Sequence, residues 1–465
     1  MRRRRASWLM LAALGGCSMA PPDLKPELPV PASWPIGDAY LKQSEAALPS
    51  YNYGDVFGDP RLRAIIVQAL ANNEDLKSAA ANIEIARAQY RIQHAELLPQ
   101  LDASLGLLRS GGDGSAGSEQ ASANASVSGY EVDLFGRLQA LSGAAKDRYF
   151  ASEAAARATR LTLIGDIADA WLAYAADSSL LAISRQTGAA ARESVRLTGR
   201  RLAGGVAPRS DLRQAELVLH TAEADAASLT TSVAQDLNAL QLLVGAQVDA
   251  AQLPGSIEDA GAHLAEVPAG LDSSILLRRP DVIEAEWQLR AANAGIGAAR
   301  AALFPKISLT SLLGFASGGL GSLFSNGSFV WQAGASASYA IFSGGAGKAR
   351  VAESQAQRDA ALAAYRKAIE SAFADVANAL ARRGTIEAQL VAAQAGRDAA
   401  ADNLHLTQLR YQGGIDSYLG ELTARQALYS AERTLIATRR LRATNRVALY
   451  RTIGGDAMDG ATAAK

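Results

Sequence analysis

Residues 276–315, LLRRPDVIEAEWQLRAANAGIGAARAALFPKISLTSLLGF, decide the fold. They begin as an amphipathic helix. Pro280 fits a first helical turn, and Asp281 there complements the helix dipole. The helix is expected to run to about Leu303, where Phe304-Pro305 stops it. The apolar period then changes from helical to alternating. Ile307, Leu309, Ser311, Leu313 and Phe315 share one face; Lys306, Ser308, Thr310, Leu312 and Gly314 share the other. That pattern is a strand with one apolar and one mostly polar face. A long helix that feeds directly into a two-faced strand is uncommon, and this chain contains the arrangement twice.

The earlier copy starts at Asp59-Pro60, with a helix expected over 61–97 that ends at Leu98-Pro99. Leu101, Ala103, Leu105 and Leu107 then alternate with Gln100, Asp102, Ser104 and Gly106. Residues 109–117 read as a Gly/Ser-rich loop, and 120–128 alternate again. The apolar phase slips near Gly129, which predicts a bulge. The segment YEVDLFGR, 130–137, closes this hairpin and opens a proline-free helical run to about Leu202, with Gly165 and Gly188 as expected break points. Gly204-Gly205-Val206-Ala207-Pro208 turns the chain. Ser210 or Asp211 is expected to cap a returning helix to about Leu243. Residues 244–271 read as irregular.

The second copy repeats this order. Its hairpin places Phe329, Trp331, Ala333, Ala335, Ala337, Tyr339 and Ile341 on one face. A proline-free run to about Gln412, a turn at Gly413-Gly414 and a last helix to about Ile453 follow. RLAGGV and RYQGGI mark the corresponding turns, and the repeat is roughly 205–210 residues long, too long for a solenoid. The expected organisation is a leader 1–16 and a Cys17-led, Pro-rich tether 17–60. The first repeat follows at 61–270, with hairpin 98–135 and tip turn 203–210. The second spans 271–453, with hairpin 305–342 and tip turn 412–419. The small, polar tail 454–465 is expected to be disordered.

Composition narrows the function classes. The 465 residues carry zero formal charge, which gives no basic excess for nucleic acid. Aromatics are only 6%, and alanine and glycine make up much of the apolar content, which suits long helices packed side by side. The single cysteine excludes intrachain disulfides. Residues 2–5 are RRRR, 8–14 are apolar, and LGGC at 14–17 resembles a lipoprotein processing site with Cys17 as the lipidated residue. The alternative is an ordinary signal peptide with a stray cysteine. No later stretch is long and apolar enough to cross a bilayer as a helix, so a membrane span must use strands.

Four such strands cannot close a barrel, and open sheet edges are excluded from a bilayer. Closure needs several chains. Two chains give eight strands and a lumen filled by side chains; three give about twelve and an open one. The inward Ser, Gly, Asn, Gln, Lys and Asp residues suit water. A soluble helical bundle with two hairpins is the alternative, with Trp331 and Tyr339 then exposed to aggregation.

At this point LRRPDV (277–282) with EAE (284–286) and ARAALFP (299–305), YEVDLFGR (130–137) and the lipid-site cysteine resemble the TolC-like outer-membrane efflux proteins, in the OprM/NodT lipoprotein branch. The resemblance spans about 17–453. It implies a fold that is mainly α with membrane β: duplicated long helical hairpins plus four strands per chain. A homotrimer would form a twelve-stranded barrel and a periplasmic α-helical tunnel. It also implies an adaptor of the membrane-fusion type, an inner-membrane efflux pump as the energy source, contact with outer-membrane lipid, and a passive route for drugs or solvents. The second tip corresponds to the pore-lining hairpin, which makes Tyr411, Asp416 and Glu421 the candidate aperture residues. Three-fold symmetry would turn each acid into a ring that favours cations. Relatives often carry acids in a segment like YLDVLDA; here Gly420 and Thr423 stand in their place. Asp416 also fits a turn residue and Glu421 a helix-start acid. Arg209 and Asp211 are candidate tip contacts to the neighbouring hairpin or the adaptor.

No catalytic constellation emerges. His94, His220, His263 and His405 are scattered without metal spacing, and no nucleophile elbow occurs. The expectation is a non-enzyme without metal, nucleic-acid partner or cofactor beyond the lipid on Cys17. The competing readings are a periplasmic spacer lipoprotein without transport and the exit duct of a protein-secretion system.

Overall fold

The computed structural model describes residues 19–22, 29–31, 52–113, 115–266 and 273–455. The leader, Cys17, most of the tether and the tail from 456 lie outside the described residues. The described chain runs α1 (Tyr53–Val56), α2 (Pro60–Asn72), α3 (Glu74–Ala95), β1 (Leu101–Gly112), β2 (Ser115–Glu131), α4 (Arg137–Ala203), α5 (Arg209–Val244), α6 (Ile257–Ala262), α7 (Pro280–Ala301), β3 (Lys306–Ser317), β4 (Phe329–Ser338), α8 (Ala346–Gln412) and α9 (Tyr418–Thr452). The fold is mainly α with one four-stranded sheet. The corresponding helices α4 and α8 have 67 residues each. No helix among the described residues is long and apolar enough to cross a membrane.

The chain divides into two compact units, each drawing on both halves of the sequence. One unit comprises Ala81–Ala154 and Ile283–Lys367 with N-terminal residues. Its sheet is antiparallel in the order β1-β2-β3-β4. The register aligns Leu105, Ala123, Phe315 and Phe329 across one face, and Ala103, Ala125, Leu313 and Trp331 beside them. Trp331 is 70% exposed and Leu105 85%, so this apolar face is uncovered within the chain. The expected bulge is present: Val127 pairs with Ser311 but Tyr130 with Leu309, and Gly129 takes φ 65°. The extra residue moves Tyr130 onto the apolar face and Glu131 onto the polar one. The expected loop 109–117 is mostly strand. Arg109 pairs with Glu119 and Ser110 with Ser118, whose hydroxyls lie 2.7 Å apart. β4 ends at Ser338, so Tyr339 and Ile341 lie beyond the ladder.

At the foot of the sheet the sequence motifs meet. The Val132 amide donates to the Ile307 carbonyl (2.9 Å) and Phe135 stacks on Phe304 with centroids 4.7 Å apart. Glu131 accepts from Arg137 (2.7 Å) and pairs with Lys306 (3.0 Å). These contacts explain why Phe304-Pro305 and YEVDLFGR both mark helix–strand switches.

The second unit comprises Leu28–Ala80, Ala155–Val282 and Ala368–Lys465 and is helical. Its core gathers Phe57, Leu62, Ile65, Ile66, Ile164, Ile167, Trp171, Leu240, Ile257 and Tyr450, all essentially inaccessible. The Trp171 indole donates to the Gln252 carbonyl (3.2 Å). Arg279 of the LRRPDV segment binds Asp281 (2.7 Å), Asp375 (3.3 Å) and the Thr452 carbonyl (3.2 Å), so this motif ties segments together.

Several expected boundaries shift here. The helix expected over 61–97 breaks at Asn73. Its backbone is extended, its Oδ1 accepts from the Leu76 amide (3.0 Å) and its Nδ2 donates to the Leu243 carbonyl (2.8 Å). Neither Gly165 nor Gly188 interrupts α4. Gly165 instead makes room for the Arg451 stem, which a Cβ would overlap. Residues 244–271 contain α6, capped by Ser256, and a 3-10 turn capped by Asp249. The tail's first two residues, Gly454 and Gly455, are buried, the latter against Leu161 and Tyr450.

Candidate functional site

The candidate site is the pair of hairpin tips in the helical unit. Their backbones match closely. At the first tip Gly205 has φ 75° and the Val206 amide donates to the Arg201 carbonyl (2.9 Å). At the second, Gly414 has φ 71° and the Ile415 amide donates to the Arg410 carbonyl (2.9 Å). A left-handed residue lets the last carbonyls find donors, and glycine adopts it without a Cβ penalty. The residues that lead into the returning helices, Pro208 and Ser417, share φ −74° and ψ 156°. Neither supplies a side-chain cap, so the expected capping by Ser210 or Asp211 does not occur.

The side chains break this symmetry. Arg410 holds Asp416 through two hydrogen bonds of 2.6 and 2.9 Å, which lowers the Asp416 carboxyl below the usual aspartate range. At the equivalent position the first tip has Ala207. Arg201, the counterpart of Arg410, instead reaches the other hairpin. It donates to the Tyr411 hydroxyl and lies over its ring at 5.0 Å. Burial pushes the Tyr411 phenol up, and Arg201 opposes that rise. Tyr411 also packs on buried Tyr418, with ring centroids 5.5 Å apart.

The named residues therefore fall into distinct settings. Asp416 is half-buried in the turn beside Arg410. Glu421 is only 6% exposed and pairs with Arg425 (2.6 Å), four residues along α9. Leu422 next to it joins Ala191, Val218 and Leu219 in an apolar cluster. Arg209 is exposed, and Asp211 lies in the first turn of α5 with the Ser210 hydroxyl at 3.4 Å. The structure thus brings Tyr411 to Arg201 and separates Asp416 from Glu421 by role. Arg201, Arg410 and Arg425 are the residues the sequence reading missed. Superposing RLAGGVA on RYQGGID exposes the first two, because the acid present in one copy is absent from the other. Arg425 is marked only by its i+4 spacing from Glu421 on the returning helix.

The model of the family described as outer membrane efflux protein matches residues 65–246 and 271–455. The chain is 41% identical over 453 residues to the probable efflux pump outer membrane protein TtgC of Pseudomonas putida, covering 95% of this chain and 93% of that protein. It is 39% identical over 466 residues to the solvent efflux pump outer membrane protein SrpC of Pseudomonas putida, covering 98% of each. The open-state crystal structure of the Neisseria gonorrhoeae MtrE outer membrane channel matches with a TM-score of 0.85 at 34% identity, over 94% of this chain and 98% of that one. With helix–strand switches, paired tips and near full-length matches agreeing, the chain belongs to the outer membrane efflux protein family.

Proposed function

We propose that the protein is the outer-membrane exit duct of a tripartite efflux system, a passive conduit for small molecules such as drugs or solvents. The observation that carries this reading is the sheet: four strands with an exposed apolar face and two edges, β1 and β4, that no other strand among the described residues pairs. Such edges are tolerated in a bilayer only when other copies close them. Three copies complete about twelve strands and an open lumen, and the repeats 61–270 and 271–453 continue as a periplasmic helical tunnel. The names of the relatives, efflux pump outer membrane proteins, support the same reading. An inner-membrane pump acting through a membrane-fusion adaptor supplies the energy, and a lipid on Cys17 anchors each chain in the outer membrane. The tips form the periplasmic aperture, with Asp416 as its acidic ring and Arg209 and Asp211 at the outer contact.

Planar-bilayer recording tests the duct and its aperture together. Wild-type protein is expected to conduct. Asp416→Asn and Glu421→Gln together are expected to change conductance and cation preference, with Asp416→Asn alone carrying most of the change because Asp416, though paired with Arg410, is the more exposed acid and Glu421 is buried. Unchanged values would remove both acids from the constriction. Affinity capture of the crosslinked protein with no inner-membrane partner, joined to absent conductance, would reject the efflux reading.

A further inference from the structure

We infer that Tyr429 is a positioning residue, the fulcrum about which the tip of α9 moves when the aperture opens; this rests on the duct reading. Tyr429 lies on α9 and its hydroxyl donates to Asp225 Oδ2 on α5 (2.7 Å). With that proton committed, the Ser184 hydroxyl on α4, also at 2.7 Å, must be the donor to the phenol oxygen. Arg433, one turn further along α9, pairs with Asp225 (3.3 Å) and lies over the Tyr429 ring at 5.5 Å. One phenol thus joins three helices, each at a mid-helix position. Burial pushes this phenol up, so it stays protonated and remains a donor at neutral pH.

Towards the tip the ties change character. A cavity of about 60 Å³ lies beside Tyr429, lined by Thr187, Val218, Thr221, Ala222, Arg425 and Gln426. Beyond it Leu422 makes only apolar contact with Ala191, Val218 and Leu219. The next polar ties across the hairpins are the hydrogen bond between buried Tyr418 and Ser194 on α4 and, at the tip, Arg201 to Tyr411, which is exposed on the arginine side. Unfilled space and non-directional contact leave the stretch of α9 between Tyr418 and Tyr429 free to shift once the ties at Tyr411 and Tyr418 release, while the Tyr429 phenol fixes its upper end. The exposed tie opens first, and Tyr429 limits how much of α9 follows.

The test uses full-length protein carrying Tyr429→Phe, which keeps the ring and removes the hydroxyl. Asp225→Ala removes the acceptor, and Asp225→Asn retains one. Two readouts are taken: single-channel conductance, and maleimide labelling of Leu422→Cys, a buried position that does not depend on conduction. Tyr429→Phe and Asp225→Ala are expected to raise the labelling rate roughly fivefold and to increase conductance further in an Arg201→Ala background, with Asp225→Asn near wild type. Labelling and conductance at wild-type values in both variants would overturn the fulcrum. Faster labelling in a protein that passes no current would support it while rejecting the duct reading.

Discussion

Asp236 on α5 shows how one side chain makes stability depend on pH. Burial, then the charge of Asp177, push its carboxyl up to about 6 from 3.8, and Arg440 opposes them. An acid whose folded pKa is raised binds its proton more tightly in the fold than in the unfolded chain. Its contribution therefore favours folding at low pH and is lost as pH rises from about 4 through about 6. Asp236→Asn is expected to stabilise the protein at about pH 8 by on the order of 1 kcal/mol, after allowance for solvent screening, with no gain near pH 4. Thermal melts in detergent across that range check it, and an equal gain at every pH would refute the cause. Side chains at this scale were the least legible in the sequence. Asp416 and Tyr411 stood out because they border a double glycine. Their partners Arg410 and Arg201 looked like ordinary helix-end cations. Tyr429 and Asp225 lie 204 residues apart on smooth helices, so only the packing of the helices brings them together.

Elements were far more legible, because a change of period from helix to strand is a local signal. Phe304-Pro305 and the phase slip at Gly129 both marked real transitions. The misjudged boundaries depend on tertiary partners. Asn73 breaks its helix because the Leu243 carbonyl is there to receive its amide, and Gly165, inside an unbroken α4, serves the close approach of the Arg451 stem rather than a break. Gly314 on β3 illustrates the same dependence within the sheet. A Cβ there would overlap the Ala123 carbonyl and lie 2.8 Å from the Asn124 Cα, so the neighbouring backbone leaves no space for one. Gly314→Ala is expected to cost about 2 kcal/mol or more and to lower the yield of heat-modifiable oligomer on gels. A wild-type yield would show that β2 and β3 can separate without penalty.

For the molecule as a whole, the register of the sheet makes a directional claim about lipid. Trp331 lies on the apolar face and Gln332 on the opposite one. Trp331→Arg is expected to cost about 2–4 kcal/mol and block outer-membrane assembly, whereas Gln332→Arg is expected to assemble and shift ion preference. Fractionation of cells that express each variant checks this, and equal assembly of both would reverse the assignment of faces. The tips also bear on the history of the chain. Two loops with the same backbone carry Ala207 in one and Asp416 at the matching position of the other; the arginine before the double glycine binds its own loop where the acid is present and reaches the other copy where it is absent. A duplicated ancestor with identical halves has no reason to prefer one hairpin over the other as the moving part. A carboxylate held by one half alone is enough to divide the labour: one hairpin reaches out to fasten, and the other is fastened.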